Sequence, residues 1–496
     1  MLFDELIFDN STITKFQMYR SLFIQPTDIY QVHFFANLSD LNYQQTVTIL
    51  SEVDKDLAHV NPNHENVLQR NGKVDLTHLD VGIDEYRNYL LKQSVPFLFL
   101  SDVLNEPEMN VEEFCERHQI SRSTVSRKLN PLSKFLKKYK IRMTYTPLNL
   151  VGNEILIRLT LFYIFWIGVR DIEWPFKVTT EEVDKVTDQF KRFFRIDASY
   201  FGRKEIYFVI AVFISRLKHH RYVDDNQEWS TFFNQNEYFS GVLLDGFPEL
   251  TNRELLNETY FVLFLTHFVP YYGVHDEEQL DVTIENFYSL HPQSPLAIMN
   301  QRFMDFIQKD YKVKLDLHEQ KMILANILNI SFTYSVLNGP FPDFEILGSP
   351  LYEANEVHRK LEKNVEEFFT KLFKESGFSR FKNAKESIIR RYTNLVLPYL
   401  YKQGNEEKIK VAIAIERNQI LLLRLRNFLK SLNFITVHNF EPEHAADYDL
   451  VITSSTSIAR DFPCKEIFYW DIEYGQKELM YLYQYLQQEY LDRKNA

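Results

Sequence analysis

NVEEFCERHQISRSTVSRKLNPLSKFLKKYKIRMTYTPLNLVG, residues 110–152, carries the local signals that decide how this chain is organised. Asn110, followed three residues later by Glu113, is a capping-box pair, so a helix is predicted to begin there with Val111, Phe114 and Cys115 on its apolar face. Ser121 is the next cap. Behind it Val125, Leu129, Leu132 and Leu136 recur at helical spacing and form one stripe of a second helix. Pro131 lies inside that helix, and because the stripe runs through it in phase the pattern predicts a bend rather than a break. Short apolar runs at 141–143 and 148–151, around Thr146 and Pro147, then read as a hairpin. Two helices, a tight turn and a two-stranded wing make a winged helix-turn-helix.

The charge of this stretch sets it apart from its surroundings. From 114 to 142 nine lysines and arginines stand against the single acid Glu116, whereas the whole chain has a net charge of −12. A basic island in an acidic protein is the electrostatic footprint of a DNA-binding element. The hydroxyl- and Arg-rich start of the second helix, Arg122, Ser123, Thr124 and Ser126, suits phosphates and base edges. With Arg127, Lys128, Asn130, Lys134 and Lys137, these are the candidate contacts to double-stranded DNA. A Lys/Arg run alone is an ordinary solvated face. Its combination with caps, turn and wing is what gives it meaning.

Working outward, 496 residues leave room for several domains, and 45% hydrophobic content with 42 Phe and 29 Tyr argues for packed cores throughout. Only 13 glycines and recurrent helical spacing point to a mainly α protein. Cys115 and Cys464 are far apart and suggest neither a disulfide framework nor a metal site. No Gly-rich turn follows KVAIAI at 410–415, so no dinucleotide cofactor is expected. MLFDELIFDN at the start lacks the basic region and apolar core of a signal peptide. The most apolar stretch, 155–169, contains Arg158 and is too short for a membrane span of about 20 residues, so a buried helix is expected. A cytoplasmic location without a membrane partner follows.

Residues 1–90 read as a first helical module in which 29–38 and 43–57, joined through 39–42, form another helix-turn-helix. Its second helix is not basic, since Glu52, Asp54 and Asp56 outnumber Lys55, so packing and DNA contact both stay open. The winged module occupies 91–152. Two similar helical domains follow at 153–282 and 283–404: EIYFVIAVFI at 205–214 aligns with EQKMILANIL at 319–328, and the step from Glu258 to Pro270 matches that from Glu386 to Pro398. The tail, 408–496, changes rhythm. Short β-like runs at 410–415, 435–440, 450–453 and 467–470 alternate with helical patterns at 419–429 and 478–490, which predicts an α/β domain with a mostly parallel sheet.

This order of modules resembles the Mga/AtxA family of Gram-positive virulence regulators over essentially the whole chain, most specifically in the winged module and the Leu150, Val151, Gly152, Asn153, Glu154 step after it. The resemblance implies that the paired helical domains are PRDs, phosphorylated on histidine by carrier proteins of the sugar phosphotransferase system, and that the tail is similar to a phosphotransferase IIB domain. It directs attention to five histidines. His219 and His220 follow the first aligned helix, close in sequence to Arg216, Lys218 and Arg221 as phosphate partners. His267 and His275 flank VPYYG at 269–273, and His318 precedes the second aligned helix, which offers Thr333 and Tyr334 where the first has His219 and His220. An acceptor imidazole must be neutral and reachable. For each of the five the plain alternative is an ordinary surface or core histidine.

The tail departs from its enzymic relatives, because the loop after its first strand reads Glu416, Arg417, Asn418 and holds no cysteine. A partner surface is expected there instead. The closing segment ELMYLYQYLQQEY places Leu479, Tyr483 and Tyr490 near one face, extended by Met480, Leu482 and Leu486, and helix-turn-helix proteins meet their sites as two-fold dimers, so a homodimer through 408–496 is expected. Taken together, the resemblance implies a non-enzymatic DNA-binding transcriptional regulator, an activator of virulence or carbohydrate-linked genes. The alternative is an RNA-binding antiterminator, which also carries paired PRDs. Residues 1–90 show no β-rich pattern of the kind such proteins begin with.

Overall fold

Side-chain caps written into the sequence start most of the long helices. Asp9, Asn42, Ser94, Asn110, Ser121, Asn153, Thr179, Thr251, Ser294 and Asp316 each accept a backbone N–H from the first turn that follows, satisfying donors that a helix start otherwise leaves unpaired. The computed structural model describes residues 2–170, 172–194, 200–234, 236–268, 277–288, 293–311, 313, 315–343, 356–403, 408–415, 419–432, 434–455, 457–470 and 476–495. They fall into two units, one built from Met1–Asp310, Leu315–Glu353 and Glu366–Tyr392, the other from Tyr311–Lys314, Ala354–Val365 and Thr393–Ala496.

In the first unit the N-terminal module contains the helices Asn10–Phe23, Val32–Leu38, Tyr43–Val60 and Ile83–Leu91. The helix expected from residue 29 begins three residues later. Ile29–Gln31 is a strand paired antiparallel with Lys73–Asp75, because Tyr30 finds a strand partner in the buried Val74. The acids of the second helix have structural duties: Asp54 accepts the backbone N–H groups of Val67 and Leu68, and Asp56 pairs with Lys15 at 2.6 Å.

The apolar stretch after the wing is the helix Glu154–Val169, buried along all its length except Leu156. Among the described residues no helix is long and apolar enough to cross a membrane. Tyr200–Lys218 packs on it, as does Ile83–Leu91 of the N-terminal module. Farther along, Leu317–Leu337 packs on Glu277–Tyr288 and Pro295–Lys309. The two aligned segments lie in Tyr200–Lys218 and Leu317–Leu337, and Thr333 and Tyr334 are fully buried in the second.

The second unit carries a four-stranded, wholly parallel sheet in the order Ile435–Asn439, Ile409–Ala414, Leu450–Thr453, Ile467–Tyr469. Gln419–Ser431 and Gln476–Asn495 are its long helices. Leu425 and Leu429 from the first, and Leu482 and Leu486 from the second, pack with Ile409, Val411 and Ile452 of the sheet. Leu479 and Tyr490 pack there too, whereas Tyr483 turns outward with Met480 and Tyr481. Of the six apolar residues read from the sequence, Leu479, Leu482, Leu486 and Tyr490 therefore cover the sheet, while Met480 and Tyr483 face solvent. Residues 404–407 and the loop 416–418 lie outside the described residues.

Candidate nucleic-acid interface

The first helix of the winged module, Val111–His118, carries the expected reciprocal cap, Asn110 accepting from Glu112 and Glu113 while Glu113 accepts from Asn110. It ends at Gln119, whose φ of 54° turns the chain through the left-handed region, and the Ile120 N–H reaches back to the Cys115 carbonyl at 2.9 Å. That turn delivers Ser121 to cap the second helix, Arg122–Lys138. Val125, Leu129, Leu132 and Leu136 are all buried, and the helix passes through Pro131 unbroken. The sequence stripe is thus the anchoring face, and its opposite is free.

On that opposite face Ser123, Ser126, Arg127, Asn130, Lys134 and Lys137 are all exposed, within an arc of about 100° at 100° per residue. Three other candidates do not share it. Arg122 is exposed but reaches across the turn to Glu112 at 2.6 Å, Lys128 faces the N-terminal module and pairs with Asp9 at 3.4 Å, and Thr124 is half-buried against its cap. Arg117 is likewise held by Glu106 and Asp102. The wing pairs Arg142–Tyr145 with Leu148–Val151 in antiparallel register, one residue later than the first run suggested, because Ile141 is drawn into the core. Arg142, Tyr145, Thr146 and Pro147 are exposed at the hairpin, with Lys138 and Lys140 just before it. Lys138, Lys140 and Arg142 belong to the basic island and, although outside the candidate contacts named above, flank the exposed helix face.

The wing runs directly into the next domain. At Gly152 a Cβ would stand 2.9 Å from the Lys140 carbonyl, so the crossing from hairpin to helix needs glycine. Asn153 then caps Glu154–Val169, and Glu154 accepts from Arg216 through Nε at 2.7 Å and Nη2 at 2.8 Å. Arg216 also donates to Asn149 on the inner wing strand. One turn on, Arg158 is fully buried. It makes a two-pronged pair with Glu258 at 2.6 and 3.0 Å, donates to the Arg221 carbonyl, and lies over the Phe213 and Phe261 rings. Glu258 in turn accepts the Val223 N–H. From the sequence alone Arg158 argues only against a membrane span. Charges inside otherwise apolar runs, Arg158 in one helix and Glu258 in another, were the available signal for this network.

The network sits beside the first histidine pair. His219 is half-buried, and burial, reinforced by Arg216, Arg221 and His220, pushes its imidazole down to about 4, leaving it neutral near pH 7. His220 is exposed at a left-handed residue and bonds the Tyr222 hydroxyl through Nδ1. Two of the cations expected to receive a phosphate are otherwise engaged: Arg216 is buried and bonded to Glu154 and Asn149, and Lys218 pairs with Glu182 at 2.5 Å. Arg221 remains exposed. His267 is buried among Phe232, Phe233, Phe239, Phe287 and Phe332, which pushes it down to about 4 and keeps donors away. His318 is partly buried in the first turn of Leu317–Leu337, and His275 lies outside the described residues.

A capped helix pair with a left-handed turn, a cationic outer face and a wing is a winged helix-turn-helix. The family model of the Mga helix-turn-helix domain matches residues 79–165, which span both helices, the wing and the start of the helix that follows. Among curated proteins the chain is 22% identical over 298 residues to the capsule synthesis positive regulator AcpA of Bacillus anthracis, covering 58% of each chain. It is 21% identical over 420 residues to a putative trans-acting regulator of Streptococcus pneumoniae serotype 4, covering 80% of this chain and 81% of the other. A shorter match, 22% over 144 residues, is to the capsule synthesis positive regulator AcpB of Bacillus anthracis. The chain spans little more than half of AcpA's length. The chain thus carries an Mga helix-turn-helix domain and is similar, over more than half its length, to regulators of the Mga/AtxA kind.

Proposed function

We propose that the protein is a non-enzymatic transcriptional regulator that reads promoter DNA through the helix Arg122–Lys138. The observation that carries this is the exposed face Ser123, Arg127, Asn130, Lys134 and Lys137, whose opposite stripe is anchored in a core and whose flank is a basic wing. Phosphates fix the register of such a helix, and Asn130 and Arg127 have the donor geometry to read base edges. Positive regulators of capsule synthesis among the relatives favour an activator, acting on virulence or carbohydrate-linked genes. Arg127→Glu with Lys134→Glu should abolish binding to promoter fragments in a gel-shift or fluorescence assay while leaving the circular dichroism spectrum unchanged. Binding equal to wild type would overturn the assignment, and tighter binding to RNA of the same sequence would favour the antiterminator.

The regulatory reading is histidine phosphorylation by phosphotransferase-system carrier proteins, with His219 or His220 as acceptor. His219 is neutral and His220 is open to a donor. A phosphate there would bring about 1.5 to 2 negative charges beside Arg221 and the Arg158–Glu258 network. Phosphoenolpyruvate with the general phosphotransferase proteins should place an acid-labile phosphate in this segment, and its absence by mass spectrometry would remove the reading. Assembly would use the second unit, where Met480, Tyr481 and Tyr483 expose apolar surface beside the covered sheet. A chain ending near residue 405 should lose the homodimer in light scattering. An unchanged dimer would move the interface to the helical domains.

A further inference from the structure

A cavity of about 410 Å³ opens among the helices Gln227–Asn234, Glu277–Tyr288, Pro295–Lys309 and Leu317–Leu337, with the 3-10 segment Ser376–Ala384 along one side. Its volume lies in the range of small-molecule pockets. The apolar wall is aromatic: the Phe232 ring lies 4.7 Å from both Phe287 and Phe332, and all three line the space. Asn286 lines it too. That side chain is only 7% exposed, and its carboxamide has no hydrogen-bond partner among the described residues. Its amide therefore faces the open space with a donor and an acceptor available to a bound group. Arg380 and Glu228, also in the lining, form an ion pair that holds the Ser335 hydroxyl, 2.7 Å from Glu228. The two charges neutralise each other.

We infer that this cavity binds a small aromatic or heteroaromatic molecule carrying a neutral carboxamide or lactam edge. The ring would be received by Phe232, Phe287 and Phe332. The edge, one donor beside one acceptor, matches the acceptor and donor of Asn286. With its cation already paired, the site holds no spare positive charge for a free carboxylate or phosphate. The same three phenylalanine rings form part of the cage around His267, at 5.6, 5.7 and 6.0 Å, so a bound ring holds that cage in place. A small-molecule signal would thereby reach the helical domains without phosphorylation, and independently of the DNA-binding reading.

The test uses the full chain with benzamide and benzoate as probes in saturation-transfer difference NMR. Benzamide at millimolar concentration should receive saturation from the wild type, and benzoate should receive little. Leu296→Trp, which fills the mouth from a partly exposed position, should remove the benzamide signal. Asn286→Leu, which keeps the volume, should weaken benzamide by about tenfold, the loss of one hydrogen-bonded amide contact. Thermal unfolding checks that each variant still folds cooperatively. The inference fails if benzamide receives no saturation from wild type, if benzoate binds as well, or if Asn286→Leu binds benzamide undiminished.

Discussion

The Arg216 guanidinium donates from Nη1 to Asn149 Oδ1 at 2.9 Å, so the last turn of the helix Tyr200–Lys218 grips the inner strand of the wing. Its other two donors hold Glu154. Removing one member of a buried ionic cluster leaves the rest desolvated and unpaired, which costs more than the pair itself contributes. Arg216→Met should therefore lower stability by about 3–5 kcal/mol in urea titration. Amide hydrogen exchange in the wing should quicken beyond that of Val111–His118. Equal change in both elements would mean that Arg216 supports only the overall fold.

Cations on the open face and those already paired should separate in their response to salt. Lys134→Ala removes a phosphate contact and should lower the slope of log affinity against log salt by about one unit. Lys128→Ala, which loses only its pair with Asp9, should leave that slope unchanged. Fluorescence anisotropy with one duplex across a salt series measures both. Identical slopes for the two variants would place the DNA elsewhere.

Burial of His267 makes a pH prediction. Its folded value, near 4, lies below the 6.5 of an unfolded histidine, so the unfolded state binds the extra proton first. The stabilisation is complete above 6.5 and falls as pH drops, until the ring titrates in the folded state near 4. The full loss is roughly 3 kcal/mol for a shift of this size. His267→Phe should reduce the change in stability across this window, leaving the share carried by the similarly lowered His219, read by denaturant titration at several pH values. A variant that follows the wild-type profile in parallel would show that His267 does not drive it.

Gln119 occupies a left-handed conformation at the turn between the two DNA-module helices. A residue with a Cβ pays there about 1–2 kcal/mol that glycine does not. Gln119→Gly should raise the melting temperature, with a gain of roughly 0.5–1 kcal/mol after the added freedom of the unfolded chain is counted, and leave DNA affinity unchanged. A lower melting temperature would show that the Gln119 side chain has a contact of its own.

Caps and stripes made much of the fold legible. Asn110, Ser121 and the Val125 to Leu136 stripe are local signals, complete within a few residues, and they placed the winged module correctly. The parallel tail was readable for the same reason, since its strands are short β-branched runs broken by helical spacing. What escaped was everything settled by distant partners. Nothing near Ile29 announces that Lys73–Asp75 will pair with it, and nothing near Arg216 announces Asn149 or Glu154. Proximity along the chain made Arg216 and Lys218 look available to His219, but buried or acidic neighbours from other helices had already claimed them. Lys128 was read as one more cation of a basic helix, and only the packing of the N-terminal module turns it toward Asp9.

The crossing at Gly152 has a mechanical consequence. Because the hairpin passes into Glu154–Val169 without a spacer, and that helix is packed on both Ile83–Leu91 and Tyr200–Lys218, the reading head has no tether on which to swing. On the proposed reading, a phosphate at His219 or His220 would reach DNA only by tilting a beam that includes the head itself. Promoter preference and responsiveness would then be two readings of one angle. Alleles selected for altered signalling should collect along the seam from Asn149 through Glu154 to Arg216, and should arrive with altered operator choice as an inseparable companion.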